Sequence, residues 1–255
     1  MQKYFCFNLK YFLKFTLIIF LFLSTKIYAQ EINFKHLSGD DGLSQNFVSC
    51  ILQDSKGFMW FGTKDGLNRY DGYGFTVYQH NPFDTTTISD NFITTLFEDS
   101  RGNIWVGTLN GSLNCFEKAT EIFHHIIYRS NTFAANNSEE IKSISEDSLK
   151  NIWVATRGEG VFKLSLKRKN SFEFKYKQFS SQSNKANRLN SNIVSTLFFD
   201  SNGVLWLGTL NGLDRFDVNN EKFTHYQLQI KNPKAPANYF DNSVYSIHES
   251  SNGNL

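Results

Sequence analysis

The residues of this chain whose types could do chemistry are six histidines, three cysteines and an aspartate that recurs at 54, 99, 147 and 200. Metal binding would need His or Cys at ligand spacing, yet the chain has no HExxH and no Cys/His cluster of zinc spacing. His124 and His125 are adjacent, and neighbours on a strand point to opposite faces, so the pair does not readily hold one ion. Nucleophilic and phosphate chemistry have signatures too, and neither Gly-x-Ser-x-Gly, a phosphate loop nor a strand-to-helix Gly-x-Gly-x-x-Gly stands here. The aspartates remain as carboxylates for acid–base work. A carboxylate needed once in an active site would not return at the same place in every repeat, whereas Asp opens type I turns wherever one is required. The sequence therefore assigns no catalytic residue, no metal site and no cofactor.

That aspartate belongs to a repeated unit around which the chain is built. Residues 54–71 read DSKGFMWFGTKDGLNRYD, and copies begin at Asp99, Asp147 and Asp200. All four tryptophans, Trp60, Trp105, Trp153 and Trp206, fall six residues after the repeat's Asp. The centre of each copy (FMWFGT, NIWVGT, NIWVAT, VLWLGT) is a short apolar run bounded by turn signals, as in a strand covered on both faces. The tryptophans are thereby core residues rather than stacking platforms. Asp-Ser-x-Gly before the run supplies a tight turn with a Gly at positive φ. Lys150 replaces that Gly in the third copy, at a cost of roughly 1–2 kcal/mol, so this turn is expected to be the weakest. Inside the strand, Gly62, Gly107 and Gly208 correspond to Ala155; Ala disfavours positive φ, so small size for close packing is the expected need.

Two further features complete the unit. Six residues before each Asp a branched apolar residue opens a strand, at Val48, Ile93, Ile141 and Val194. Behind each copy lies an outer strand, at residues 75–78, 123–126, 172–179 and 223–226. Four short strands per repeat, with tryptophans 45, 48 and 53 residues apart, predict an all-β fold: a β-propeller of four-stranded blades. Residues 34–37 look like a leading outer strand, and residues 244–255 restart the unit, with Ser250 in the place of Asp. The expected architecture is incomplete, about four blades plus the start of a fifth, as the N-terminal part of a larger propeller. A closed four-bladed ring is the competing arrangement.

Composition agrees with a packed globular chain: 255 residues, 40% hydrophobic, 26 Phe and only three Pro. Residues 1–29 contain four lysines and no acid, an apolar run at 15–23 and a small residue, Ala29, which is the anatomy of a secretory leader. Without it the remainder has 22 basic and 24 acidic residues, no footprint for nucleic acid. The domains read as 1–29, signal peptide, and 30–255, propeller repeats, exported. Cys6 leaves with the leader; Cys50 and Cys115 are expected as two buried free thiols. The basic run at 167–169, with Lys175 and Lys177 nearby, is expected at a solvated hairpin tip.

In a four-stranded blade, the loop between strands two and three emerges on the same face as the long link to the next blade. Those links vary in length and are rich in Asn, Ser and Thr, and recognition is usually built on such loops. The candidate ligand-binding residues are the polar ones in the short loops of that face: Lys64, Asp65, Asn110, Arg157, Glu159 and Asn211.

The pattern Asp-Ser-x-Gly, Ile-Trp-x-Gly-Thr, Gly-Leu-x-x-Phe-Asp and Phe-x-x-Tyr, with DDGLSQNFV at 40–48 as a blade-to-blade link, resembles the two-component regulator propeller repeat. The departures are Lys150, Ala155, Ser250 and Gly160-Val161 in place of Gly-Leu. The resemblance implies a periplasmic sensor region of a hybrid histidine kinase, responding to oligosaccharides from complex glycans, dimeric when intact, and joined to the membrane through the leader or a downstream helix. The alternative is a secreted propeller that binds carbohydrate or protein with no kinase attached. The chain itself is expected to perform no chemistry.

Overall fold

The structure, a computed structural model, describes residues 34–128, 140–168, 171–183, 188–218, 220–227 and 242–255. The proposed leader, Cys6 and Lys169 lie outside the described residues. Two units are distinguished. Of the first, residues 1–36, only 34–36 are described, and they carry no strand.

The second unit, residues 37–255, contains sixteen described strands in four antiparallel sheets, each made of four strands consecutive in sequence. The first blade is β1 (Val48–Gln53), β2 (Met59–Thr63), β3 (Gly66–Tyr70) and β4 (Phe75–Tyr78). The second is β5 (Ile93–Glu98), β6 (Ile104–Thr108), β7 (Leu113–Glu117) and β8 (Ile122–Ile126). The third is β9 (Ile141–Glu146), β10 (Ile152–Thr156), β11 (Val161–Leu166) and β12 (Phe174–Phe179), and the fourth β13 (Val194–Phe199), β14 (Leu205–Thr209), β15 (Gly212–Asp217) and β16 (Lys222–Tyr226). The first strands pack side by side in chain order, β1 on β5, β5 on β9 and β9 on β13.

The four expected strand starts coincide with the observed ones. Each first-to-second hairpin turns at Asp-Ser, where the Gly N–H closes on the Asp carbonyl at 2.8–2.9 Å in three blades. Gly57, Gly102 and Gly203 have φ of +90°, +84° and +76°, and Lys150 adopts +67° in the same role. The strand glycines are different. A Cβ on Gly62 would stand 2.7 Å from Ile93 Cγ2, and one on Gly107 2.6 Å from Ile141 Cγ2, both on the first strand of the next blade. Small size is the requirement there, since none of Gly62, Gly107 and Gly208 has positive φ.

The core lies in the seams between blades. Trp60 meets Phe116 of the second blade edge-on at 5.4 Å between centroids, and Trp153 meets Phe216 of the fourth in the same way, also at 5.4 Å. Trp60, Trp105 and Trp153 are fully buried. Trp206 is only partly so, because the wall covering the other three comes from the following blade.

Two expected strands are absent. Residues 34–37 form none, and Phe34 is 89% exposed; strand pairing begins at Val48. In 244–255 only the turn forms, with Ser250 N–H on Asn254 O at 2.7 Å, Gly253 N–H on Ser250 O at 2.9 Å and Gly253 at φ +80°. Each blade's first strand pairs with its own second strand, and that segment offers none. Val244 N–H instead donates to Thr209 O at 3.0 Å.

Candidate functional site

The face carrying the Asp turns is built for cohesion. In every blade the Trp ring N–H donates to the carboxylate of the repeat's Asp, at 3.0 Å for Trp60, Trp105 and Trp153 and 2.9 Å for Trp206. The other carboxylate oxygen accepts two backbone N–H groups of the turn, for example from Lys56 and Phe58 onto Asp54, both at 3.0 Å. Burial pushes the carboxyls of Asp54, Asp99 and Asp200 upward, but these hydrogen bonds outweigh it and hold all three below the usual carboxylate range. A saturated, low-pKa carboxylate is a structural anion, so the turn role read from the sequence stands.

Sequence reasoning missed the partner of the Ser that follows each Asp. Ser55 N–H and Oγ donate to Glu98 of the second blade, both at 2.7 Å. Ser100 clasps Glu146 of the third blade, and Ser201 clasps Glu249. The signal was available, because an acid stands immediately before the next Asp or Ser250 in these cases. Phe199 occupies the position before Asp200, so the seam between the third and fourth blades lacks the clasp. Lys118 Nζ adds a bridge at the first seam, 2.9 Å from Asp54 Oδ2 and 2.6 Å from Glu98 Oε1.

The opposite face carries the loops between strands two and three and the links. The buried Thr ending each second strand organises its loop: Thr63, Thr156 and Thr209 donate to Gly66, Gly160 and Gly212 carbonyls at 2.9 Å, and Thr108 to Ser112 O at 3.0 Å. Three incoming links are anchored by an apolar residue, Leu43, Ile88 or Leu189, buried against the blade. The N–H of the next residue then donates to a buried polar group on the third strand. Ser44 reaches Asn68 at 2.9 Å, Ser89 reaches Asn114 at 3.1 Å and Asn190 reaches Asp214 at 2.8 Å. Asp214 is fully buried, with His225 Nδ1 at 2.7 Å from its other oxygen. Burial raises its pKa despite the Asn190 and His225 hydrogen bonds.

The six candidate residues all sit in these short loops, distributed over four blades. Lys64 Nζ lies 4.1 Å from the ring centroid of Phe47 and 5.6 Å from that of Phe92, two aromatics that each precede a first strand. Asp65 Oδ1 accepts from Asn91 at 3.3 Å. Asn110 Oδ1 accepts from Thr108 Oγ1 at 2.7 Å and Ser112 N at 3.0 Å. The exposed Arg157 stands 3.6 Å from Glu140, Glu159 N–H donates to Thr156 Oγ1 at 3.0 Å, and Asn211 Nδ2 donates to Asn190 at 3.2 Å. Asp65, Arg157 and Asn211 thus tie their loops to link residues.

Cys50 and Cys115 are free, Cys115 buried and Cys50 half-buried rather than fully buried as expected. Burial pushes the Cys50 thiol up to about 11 and raises Cys115 as well, so neither is a ready nucleophile. Lys167 and Arg168 do lie at the tip between β11 and β12.

Four-stranded blades, each locked by a Trp–Asp turn and packed through their first strands, define a β-propeller. The profile of the two-component regulator propeller family matches three spans of the chain, residues 42–65, 87–110 and 188–211. Each matched span runs from an incoming link to a loop between strands two and three. The third copy, with Lys150 and Ala155, is not among the matched spans. Over 77 residues the chain is 48% identical to histidine kinase P4 of Formosa agariphila, a match covering 29% of this chain and 6% of that protein. The extracellular domain of BT3049 from B. thetaiotaomicron, assigned as a hybrid two component system, superposes with TM-score 0.62 at 24% identity, over 75% of this chain and 26% of that one. The extracellular domain of BT4673 from the same organism gives TM-score 0.56 at 26% identity, over 71% of this chain and 25% of that one. The chain thus spans only a small part of these relatives.

Proposed function

We propose that this chain is an exported, ligand-sensing propeller region of a hybrid two-component histidine kinase, and that glycan-derived oligosaccharides are its ligands. The observation that supports this best is the 48% identity to a histidine kinase in a chain with three spans that match the regulator propeller family. In this reading residues 1–29 direct export and are removed. The propeller works in the periplasm as part of a dimer, performs no chemistry itself and binds no nucleic acid. Ligand binding acts by differential affinity: it favours one arrangement of the sensor dimer and so biases the distant kinase. Recognition falls to the loop face, with Lys64, Asp65, Asn110, Arg157, Glu159 and Asn211 as the polar groups on offer, because the Asp-turn face is consumed by its own clasps.

The test is to reconstitute the intact protein in membranes and measure autophosphorylation against a panel of glycan digests. A digest-dependent change is the expected result. A protein recovered free of the membrane, carrying no kinase but binding the same digests, would favour the secreted binding module. With a responsive digest in hand, replacing both Arg157 and Glu159 by Ala should weaken the response, and an unchanged response would remove those two from the site.

A further inference from the structure

The fourth blade anchors its incoming link with an ionisable group where the first and second use an amide. Ser44 N–H and Ser89 N–H donate to the neutral side chains of Asn68 and Asn114. At the same register of the fourth blade, Asn190 N–H donates to Asp214 Oδ2 at 2.8 Å. Asp214 Oδ1 stands 2.7 Å from Nδ1 of His225, its cross-strand neighbour on β16. The Asp214 side chain is fully buried, whereas that of His225 is 33% exposed, so the imidazole is the member of the pair open to proton exchange with solvent. Asn190 in turn closes on the loop between β14 and β15. Its Nδ2 donates to Asn211 O, and Asn211 Nδ2 donates back to Asn190 Oδ1 at 3.2 Å. One line of contacts thus runs from a solvent-facing imidazole to a candidate recognition residue.

A buried carboxylate is tolerated beside a paired cation and becomes costly when its partner's charge is removed. The other charged groups on the surrounding elements are engaged or directed elsewhere. Arg215, Asp217 and Lys222 take the alternate positions of β15 and β16 and so point to the opposite face of the blade. On the facing third blade Lys163 and Lys177 are held by Asp147 and Glu221, and Glu159 lies on the short loop before β11. Arg188, on the link, is exposed and forms no ion pair among the described residues. Among those residues, His225 is therefore the group that offsets the charge of Asp214. Burial raises the Asp214 pKa against the Asn190 and His225 hydrogen bonds, as expected of a carboxylate whose ionised form is disfavoured in place.

We propose that the Asp214–His225 pair is a proton-operated latch on the link at 188–193. While the pair keeps its shared proton, the buried carboxylate is balanced and the link stays seated, with Asn211 held through Asn190. As pH rises and that proton leaves, an unbalanced carboxylate remains beneath the link. It gains hydration when the link lifts, so loss of the proton favours the open link and frees Asn211. The first and second blades, with Asn68 and Asn114, have no proton to lose at this position, and their links stay seated. The latch requires neither a ligand nor a kinase, so it stands apart from the function proposed above.

Amide hydrogen exchange by NMR on the full chain tests it, between about pH 5 and 8, the span in which imidazoles change charge. Rates corrected for intrinsic base catalysis give the protection of the Asn190 amide, with the amides of Ser44 and Ser89 as controls in the same molecule. Protection at Asn190 should fall about tenfold from the lower to the upper end, the equivalent of 1.4 kcal/mol, while Ser44 and Ser89 hold steady. Asp214→Asn should keep Asn190 protected at both ends. His225→Ala, which removes the balancing cation, should move the fall to lower pH. Protection at Asn190 that does not change with pH in the parent, an equal fall at all three amides, or a fall that survives Asp214→Asn would overturn the latch. None of these outcomes would bear on the kinase reading, which the autophosphorylation assay decides.

Discussion

Ser100 of the second blade gives its backbone N–H and its hydroxyl to the two carboxylate oxygens of Glu146 of the third, at 2.9 and 3.1 Å. A charged acceptor with two donors from one residue is a directional joint, stronger than a neutral hydrogen bond.

Removing such a joint should be costly. Glu98→Ala deletes the acceptor for Ser55 and one of the two carboxylates around Lys118, and should lower stability by roughly 2 kcal/mol. Glu98→Gln keeps an acceptor and should cost less. Urea unfolding of the three proteins measures both, and a silent Glu98→Ala would show that the clasp adds nothing to the seam.

Lys150 holds a left-handed backbone at φ +67° where three other turns have Gly. Lys150→Gly relieves roughly 1–2 kcal/mol of strain and gives back about 0.5–1 kcal/mol through a freer unfolded chain. A small net gain in melting temperature is expected, and a loss would contradict the strain.

Gly107→Ala should destabilise by about 1–3 kcal/mol, because its Cβ would meet Ile141 Cγ2 at 2.6 Å and Thr95 Cγ2 at 2.7 Å. Adding Ile141→Leu, which removes the branching methyl, should recover part of the loss. Thermal melts of the single and double variants decide whether the two sites couple.

Acid should weaken the blades. Asp54, Glu98, Asp99 and Asp200 have folded pKa values below their unfolded ones, since hydrogen bonds and nearby cations outweigh the opposing effect of burial. Their stabilisation is complete above the unfolded values of about 4 and is lost as pH falls through the lower folded values. Asp214 has the opposite sign: with its folded pKa raised, stability falls as pH climbs from the unfolded to the folded value. Asp214→Asn, which supplies the residue type found at Asn68 and Asn114, should remove that decline. Unfolding free energy measured from pH 3 to 7 should show a shallower loss toward neutrality in the variant than in the parent.

The repeat made most of the fold legible. Turn, strand and Trp recur at fixed spacing, so Val48, Ile93, Ile141 and Val194 announced their strands without any structure. The leading and fifth strands failed because alternation marks a segment that can pair, not one that has found an edge. On the loop face, the short loops could be located, but not what their side chains hold. Asn68, Asn114 and Asp214 look like ordinary exposed strand residues in sequence, and only their burial beneath the incoming links reveals them as anchors. Ser89 Oγ and Asn114 Nδ2, which find no partner among the described residues, stand beside a loop one residue longer than its counterpart in the first blade; the sequence showed that residue, but not where Thr108 Oγ1 turns.

Each clasp takes its carboxylate from a residue later in the chain than its Ser. A blade emerging from the ribosome can pair its own four strands at once, but its Ser stays without its acceptor until about 45 further residues of the repeat have been made. Locking therefore proceeds in the direction of synthesis. At the third seam, where Phe199 replaces the acid, the newest blade has no clasp and is held by packing, by Leu197 N–H on Ser143 Oγ at 3.1 Å and by the Lys177–Glu221 pair, and a pause in translation there would leave the preceding blades already latched.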